Sequence, residues 1–351
     1  MPVQQVSNEL MLSLVRAGHL ATFEELPSLV AKRAEHAGLS QARIYLADYQ
    51  QRVLREVTGV GADAHEGGED LEVDRSLAGQ AYVRGVPARV EGEQRYWVPI
   101  LEGAERLGVL HVGYPGDPDR SPMRDLAAMV ALLVIAKRSN SDAYARLIRV
   151  RPMSVSAEMQ WTLMPPGTFA DSRVTISAAI EPAYDNAGDA FDYALAGEVA
   201  HLAMFDAMGH DTAAGLIANL AVGAFRNERR KGTSLAGICR AVEATLVEEF
   251  VHTRFATAIM AKLNMATGQL EWINCGHLPP VLIRGGQVRD MGCEPSHPLG
   301  TDLGLPVTVC REQLQPGDRL LLYTDGIIEA RDSQGHEFGL ERFVDFVIRH
   351  Q

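Results

Sequence analysis

Three aspartates stand at the ends of apolar, strand-like runs, and they constrain the second half of this chain more than any other feature. Asp206 follows the run VAHLAMF directly. Asp325 stands one residue after LLLY, and Asp189 lies in the small-residue turn NAGDAFD, just ahead of another strand-like stretch. A carboxylate at the end of a buried strand is held by a rigid element yet stays available to a ligand. Several such groups converging repel one another unless a cation sits among them. Hard divalent ions such as magnesium or manganese prefer oxygen ligands of this kind. Taken singly, each aspartate also suits a turn or a helix cap. Asp206 precedes a helical stretch near Ala213, and Asp325-Gly326 reads as a plain turn.

The pattern along the chain predicts two domains, which its 351 residues accommodate. Residues 10–37 read as helical, with Leu26, Leu29, Val30 and Ala34 on one face. Short strand-like segments follow, among them Arg43 to Leu46, Val53 to Thr58, Tyr96 to Leu101 and Gly108 to Tyr114. This order suits a mixed sheet with helices on one face. Ser121 and Pro122 form a helix start, and that helix is expected to run past Tyr144 and Leu147 towards Pro152. A second helix, Val155 to Leu163, ends at Pro165-Pro166. The expected division is residues 1–138, a helical linker over 139–167, and a second domain over 168–351. The linker's apolar stripe suits packing on its own domain or against a second copy in a homodimer. Beyond it, strand-like runs alternate with helical stretches from Ala213 to Phe225 and from Leu235 to Glu249, so the fold class is α+β.

Composition excludes several functions. A formal net charge of -12 argues against a nucleic-acid footprint. The basic cluster Arg226, Arg229, Arg230 and Lys231, followed by Gly232, reads as the solvated end of a helix. The four cysteines, Cys239, Cys275, Cys293 and Cys310, form no CxxC pair and read as reduced thiols rather than a disulfide or zinc framework. The N-terminus has no signal-peptide pattern, and the apolar stretch from Leu126 to Ala136 is about half the ~20 residues of a membrane span. A cytoplasmic protein without a membrane segment is expected.

Against these motifs a family comes into view. PAYDNAGDAFDY (Pro182 to Tyr193) resembles the Gly-Gly-Asp-x-Tyr-Asp signature of bacterial SpoIIE/RsbU-type phosphatases, a branch of the type 2C metal-dependent (PPM) serine/threonine phosphatases. FDAMGHD, INCGHLPPVLIR and LLLYTDGIIEARDSQGHEFG resemble that family's Asp-x-x-Gly-His-Gly, Asn-Ala-Gly-His-x-Pro-Pro and Tyr-Thr-Asp-Gly elements. AEMQWTLMPP resembles the helix leading into its catalytic domain. Five matches in order are far more specific than a lone motif. Less strongly, SLAGQAYVRGVPARV and WVPILEGAERLGVLHVGY resemble parts of a GAF sensor domain.

The resemblance implies an α-β-β-α sandwich in which two magnesium or manganese ions hold a bridging water for attack on a phosphoserine or phosphothreonine phosphorus. Asp206 matches the ligand bridging both ions, Ala207 adds its backbone carbonyl, and Asp189 and Asp325 each hold one side. Asp192 and Gly326 match positions just outside the ligands. His210 and His277, in glycine-containing loops, are expected to bond backbone rather than transfer protons. The implied substrate is a phosphorylated regulator, typically a STAS-domain antagonist of an anti-sigma factor, with the sensor domain gating the activity. Ala187 and Asp211 stand where the family has glycines, and Asn186 where it has an apolar residue. The family's Asp-Asp-x-Thr element and final strand are not matched, so either the chain is a truncated fragment or the protein lacks that ligand; in both cases this form is expected to bind one ion weakly and to have low phosphatase activity. A scaffold that retains the fold without catalysis is the alternative, as is a GAF-like receptor for a small molecule.

Overall fold

The computed structural model describes residues 12–115, 122–181, 183–185, 188–209, 211–289 and 291–349. Ser121, Asn186, Ala187 and His210, all singled out above, lie outside them. The chain divides into two compact units, one of Met1–Pro152 with Pro166–Ala179, the other of Met153–Pro165 with Ile180–Gln351. The expected linker is therefore not a body of its own. Its first helix belongs with the first unit and its second helix with the second.

In the first unit, six strands run β1 (Ser40–Ala47), β2 (Val53–Val57), β3 (Asp70–Glu72), β4 (Ala88–Arg89), β5 (Arg95–Glu102) and β6 (Glu105–Gly113), ordered β3-β2-β1-β6-β5-β4 in space. Every neighbouring pair is antiparallel, so the sheet is not mixed as its pattern suggested. Helices also cover both faces rather than one. Ile44 and Leu46 join the core under α1 (Leu26–His36) and α3 (Pro122–Arg138). Tyr45, between them and therefore on the other face, packs with Ala78, Ala81 and Tyr82 of α2 (Leu77–Arg84). The long linker helix is broken too. The helix α3 ends at Arg138, and Ser141, whose side chain accepts from Tyr144 N, starts α4 (Asp142–Leu147) afresh. A hairpin of β7 (Thr168–Ala170) and β8 (Thr175–Ser177) completes the unit.

The second unit begins with α5 (Val155–Leu163), capped by Ser154 through Ala157 N. Its main sheet holds β9 (Asp189–Ala196), β10 (Val199–Ala207), β11 (Ala256–Asn264), β12 (Gln269–Cys275) and β15 (Cys310–Gln313), ordered β15-β12-β11-β10-β9 and antiparallel throughout. Against one face lie α6 (Thr212–Arg230) and α7 (Leu235–Phe250). Small residues at helical spacing on α6, Ala214, Ala218 and Ala221 with Phe225, are fully buried and bring its backbone close to the strands. The other face meets a second sheet, ordered β14-β13-β16, of β13 (Val281–Arg284), β14 (Gln287–Arg289) and β16 (Arg319–Leu321). Trp272, Ile259 and Leu270 pack there against Leu282, Met291 and Leu320. Beyond that sheet, Val344, Phe343 and Val347 of α9 (Leu340–Arg349) pack on Val281, Ile283 and Tyr323. The layers run helix, sheet, sheet, helix.

Two local expectations are corrected. Cys293 and Cys310 are joined in a disulfide, with Cα atoms 5.9 Å apart, which ties the 291–309 segment to edge strand β15. Only Cys239 and Cys275 are free and buried. Half of the basic cluster is not solvated, because Arg226 and Arg229 turn inward onto Asp192. Among the described residues, no helix is long and apolar enough to cross a membrane.

Candidate metal centre

Two of the three aspartates meet across neighbouring strands. Asp189 opens β9 directly opposite Asp206 near the end of β10, and opposed residues share a face of a sheet. Their chain neighbours Ala190, Phe205 and Ala207 belong to the core beneath α6 and α7, so both carboxylates lie on the face turned from those helices. Asp325 arrives from the second sheet. After β16 the chain passes the buried Tyr323, and Asp325 opens the short helix α8 (Asp325–Ile328), exposed to solvent. Thr324 links the two sheets, its hydroxyl donating to Asp189 Oδ2 at 3.0 Å.

The carboxylates feel one another. Burial, with the charges of Asp189 and then Asp325 adding to it, pushes the Asp206 carboxyl up to about 7. Burial also raises Asp189, against the hydrogen bond from Thr324, and Asp325 adds to the rise. The named charges acting on Asp206 are thus negative. The backbone continues the same surface. Ala207 N donates to Gly188 O at 3.0 Å and Met208 N to Phe255 O at 3.0 Å. A Cβ at Gly188 would lie 2.8 Å from the Ala207 carbonyl oxygen and 2.9 Å from that of Gly209. Only glycine admits both carbonyls so closely. Gly209 has φ +95°, a conformation that favours glycine.

An all-oxygen donor set with destabilised like charges is what a hard divalent cation relieves, so these residues fit magnesium or manganese. Among the described residues, no three His, Cys, Asp or Glu side chains are gathered as a cage for a single ion. Asp206 is close enough to the other two for their charges to raise its pKa, yet the three do not close on one point.

Other predicted residues fall elsewhere. Asp192 lies three positions along β9 from Asp189, hence on the helix-side face, with a side chain 1% exposed. It accepts from Arg226 Nε at 2.9 Å and Arg229 at 3.0 Å. It is part of a buried ion cluster, apart from Asp189. Gly326 sits in the first turn of α8, and a Cβ there would meet nothing nearer than Thr324 Oγ1 at 4.0 Å. Asp211, not Asp206, caps the helix ahead of Ala213, accepting from Ala214 N at 2.9 Å. It also holds Arg254 at 2.9 Å.

His277 is buried and occupied at both ring nitrogens. Its Nε2 donates to Tyr323 O at 3.0 Å, which leaves Nδ1 to accept from the Thr257 hydroxyl at 2.7 Å. Its backbone N–H donates to Asn274 Oδ1 at 2.7 Å. Burial lowers its pKa, against the Tyr323 carbonyl and the Asp325 charge. The ring therefore braces the approach to Asp325, in keeping with the expectation that it bonds backbone.

Sequence reasoning missed Thr324 and Gln160. Thr324 carried a signal, as the hydroxyl directly before Asp325. Gln160 carried none, since a polar residue within a short helix marks nothing by itself.

Known proteins add a family to this geometry. Residues 196–351 match the family model described as SpoIIE, stage II sporulation protein E. The match includes Asp206 and Asp325 and begins beyond Asp189. Protein IcfG of Synechocystis sp. is 26% identical over 91 residues, which are 26% of this chain and 14% of that protein. The RsbU and RsbW domains of Rv1364c from Mycobacterium tuberculosis align at 26% identity and TM-score 0.42, covering 48% of this chain and 47% of that one. The SiaA-PP2C domain of Pseudomonas aeruginosa aligns at 20% identity and TM-score 0.41, covering 46% of this chain and 66% of that one. The chain thus spans less than two thirds of the length of these relatives. Over residues 196–351 the chain is thus similar to the SpoIIE family, the resemblance its motifs carry.

Proposed function

We propose that this chain is a metal-dependent protein phosphatase. It hydrolyses phosphoserine or phosphothreonine on a regulatory protein, under the control of the first unit acting as a GAF-like sensor. The observation that carries the reading is the state of Asp206. Its carboxyl is raised to about 7 by burial and by the charges of Asp189 and Asp325. Such an arrangement is unfavourable until divalent cations are present.

Asp206, Asp189, Asp325 and the Ala207 carbonyl would hold two magnesium or manganese ions, which supply an activated water and offset the charge of the phosphoryl group. The rest falls to the chain's own residues. Thr324 orients the Asp189 carboxylate through the 3.0 Å hydrogen bond. Gly188 keeps space for the Ala207 carbonyl. His277, bound to Tyr323 O, steadies the segment that delivers Asp325. By the family resemblance the substrate is a STAS-type antagonist of an anti-sigma factor. A homodimer through the helical segment 139–167 belongs to the same reading, as does a cytoplasmic location.

The test is release of phosphate from a phosphoserine-bearing STAS protein with manganese, by wild-type and Asp206→Asn protein. We expect manganese-dependent release by the wild type and a loss of at least about a hundredfold in the variant, since the central ligand is gone. A wild-type protein that binds the phosphoprotein but releases nothing, with or without manganese, is a scaffold and ends this reading.

A further inference from the structure

We infer that Gln160, on the helix α5, is a positioning residue for the metal centre: it fixes the backbone of Asp189 from the side opposite the sheet. This rests on the proposed metal-dependent reading. The strand β9 lies at the edge of its sheet, paired among the described residues only with β10. An edge strand presents backbone groups that another element must satisfy. At Asp189 that element is α5, whose Gln160 Nε2 donates to the Asp189 carbonyl oxygen at 3.0 Å. Gln160 is 1% exposed, so no bulk water replaces the bond if the amide is removed.

The helix α5 is itself anchored along the same stretch. Ser154 N donates to Tyr184 O at 2.9 Å, and Trp161 Nε1 donates to Ala183 O at 2.7 Å. At its far end, Arg226 donates to Leu163 O at 2.5 Å while holding Asp192 of β9 at 2.6 Å. Among these contacts, that of Gln160 is the one made to a candidate ligand residue. Asp189 is therefore held at two points by separate elements, its carbonyl by Gln160 and its carboxylate by Thr324. A ligand fixed in advance binds an ion more tightly, because binding need not order it.

Manganese alone is the probe, titrated by calorimetry into wild-type protein, Gln160→Met, Gln160→Glu and Trp161→Phe. Gln160→Met keeps length and apolar volume but leaves the Asp189 carbonyl unsatisfied. Gln160→Glu sets an acceptor against it, and serves if the first variant does not fold. Trp161→Phe removes a bond of α5 that does not reach Asp189. We expect either Gln160 variant to weaken manganese binding about five- to tenfold, the range for an unmade buried hydrogen bond, and Trp161→Phe to stay within about twofold. Equal weakening by Trp161→Phe would show that docking of α5 alone matters, and would overturn the assignment. Gln160 variants that bind manganese as the wild type does would also overturn it, leaving the phosphatase reading intact. Wild-type protein that takes up no manganese removes the reading, and the role of Gln160 with it.

Discussion

Asp206 holds its negative charge in a place that resists it. Burial and two neighbouring carboxylates raise it to about 7 from an ordinary 3.8. A carboxyl raised on folding binds a proton more readily in the native state than in the unfolded chain. It therefore makes stability fall as pH rises through the window from about 4 to about 7. In EDTA the protein should accordingly melt lower at pH 8 than at pH 5, as far as this group decides. Asp206→Asn removes the burden. We expect the variant to be more stable than wild type at pH 8 by about 1–2 kcal/mol, the full shift being discounted because the side chain is partly exposed. The gain should be clearly smaller at pH 5, inside that window, and should vanish only below about pH 4. Thermal melts of both proteins at the two pH values decide it, and a variant that melts lower at pH 8 would mean the charge is compensated. His277 makes the contrasting case. Both its ring nitrogens are engaged, so its part in the protein is structural support for the loop before Asp325.

At the scale of elements, α6 and β9 are joined by charge as well as by apolar packing. Asp192 projects from the helix-side face of β9, 2% exposed, between Arg226 and Arg229 of α6. Breaking a buried pair by removing one partner leaves uncompensated charge and costs about 3–5 kcal/mol. Asp192→Ala should thus lower stability by about 3 kcal/mol in urea denaturation. The Asp192 carboxylate lies on the face opposite Asp189, so manganese affinity measured on the folded variant should stay within about twofold of wild type. A tenfold loss of affinity with little loss of stability would place Asp192 in the metal centre instead. The helical reading of Ala213 to Phe225 was sound because the burial of Ala214, Ala218, Ala221 and Phe225 is local and periodic. The solvated reading of its basic end failed because a charge on another strand, outside any local window, draws two of its arginines inward.

At the scale of the molecule, each unit encloses its own apolar core, and the helical segment after Arg138 is shared out between them. Separate cores predict separate cooperative transitions. Calorimetry of the whole chain should show two, and on the proposed metal-dependent reading manganese should raise one of them. The transition that moves belongs to the unit of Met153–Pro165 and Ile180–Gln351, as limited proteolysis of the partly melted sample would identify. A single transition, or one in which both move together, would contradict this.

Much of this architecture was legible from the chain alone. The strands that carry Asp189 and Asp206, the strand that leads towards Asp325, the helices α5, α6 and α7, and the ordered motifs around the aspartates depend on neighbours a few residues away. Alternation, helical spacing and capping encode such features locally. What only the tertiary structure decided was partnership across distance. It set the register that puts Asp189 opposite Asp206, and joined Thr324 to Asp189 over 135 residues. It paired Cys293 with Cys310, placed helices on both faces of the first sheet, and brought Gln160 to the Asp189 carbonyl. The physical reason is the same in each case. A side chain's local pattern says which face it favours, whereas the group it meets there is chosen by how whole layers pack.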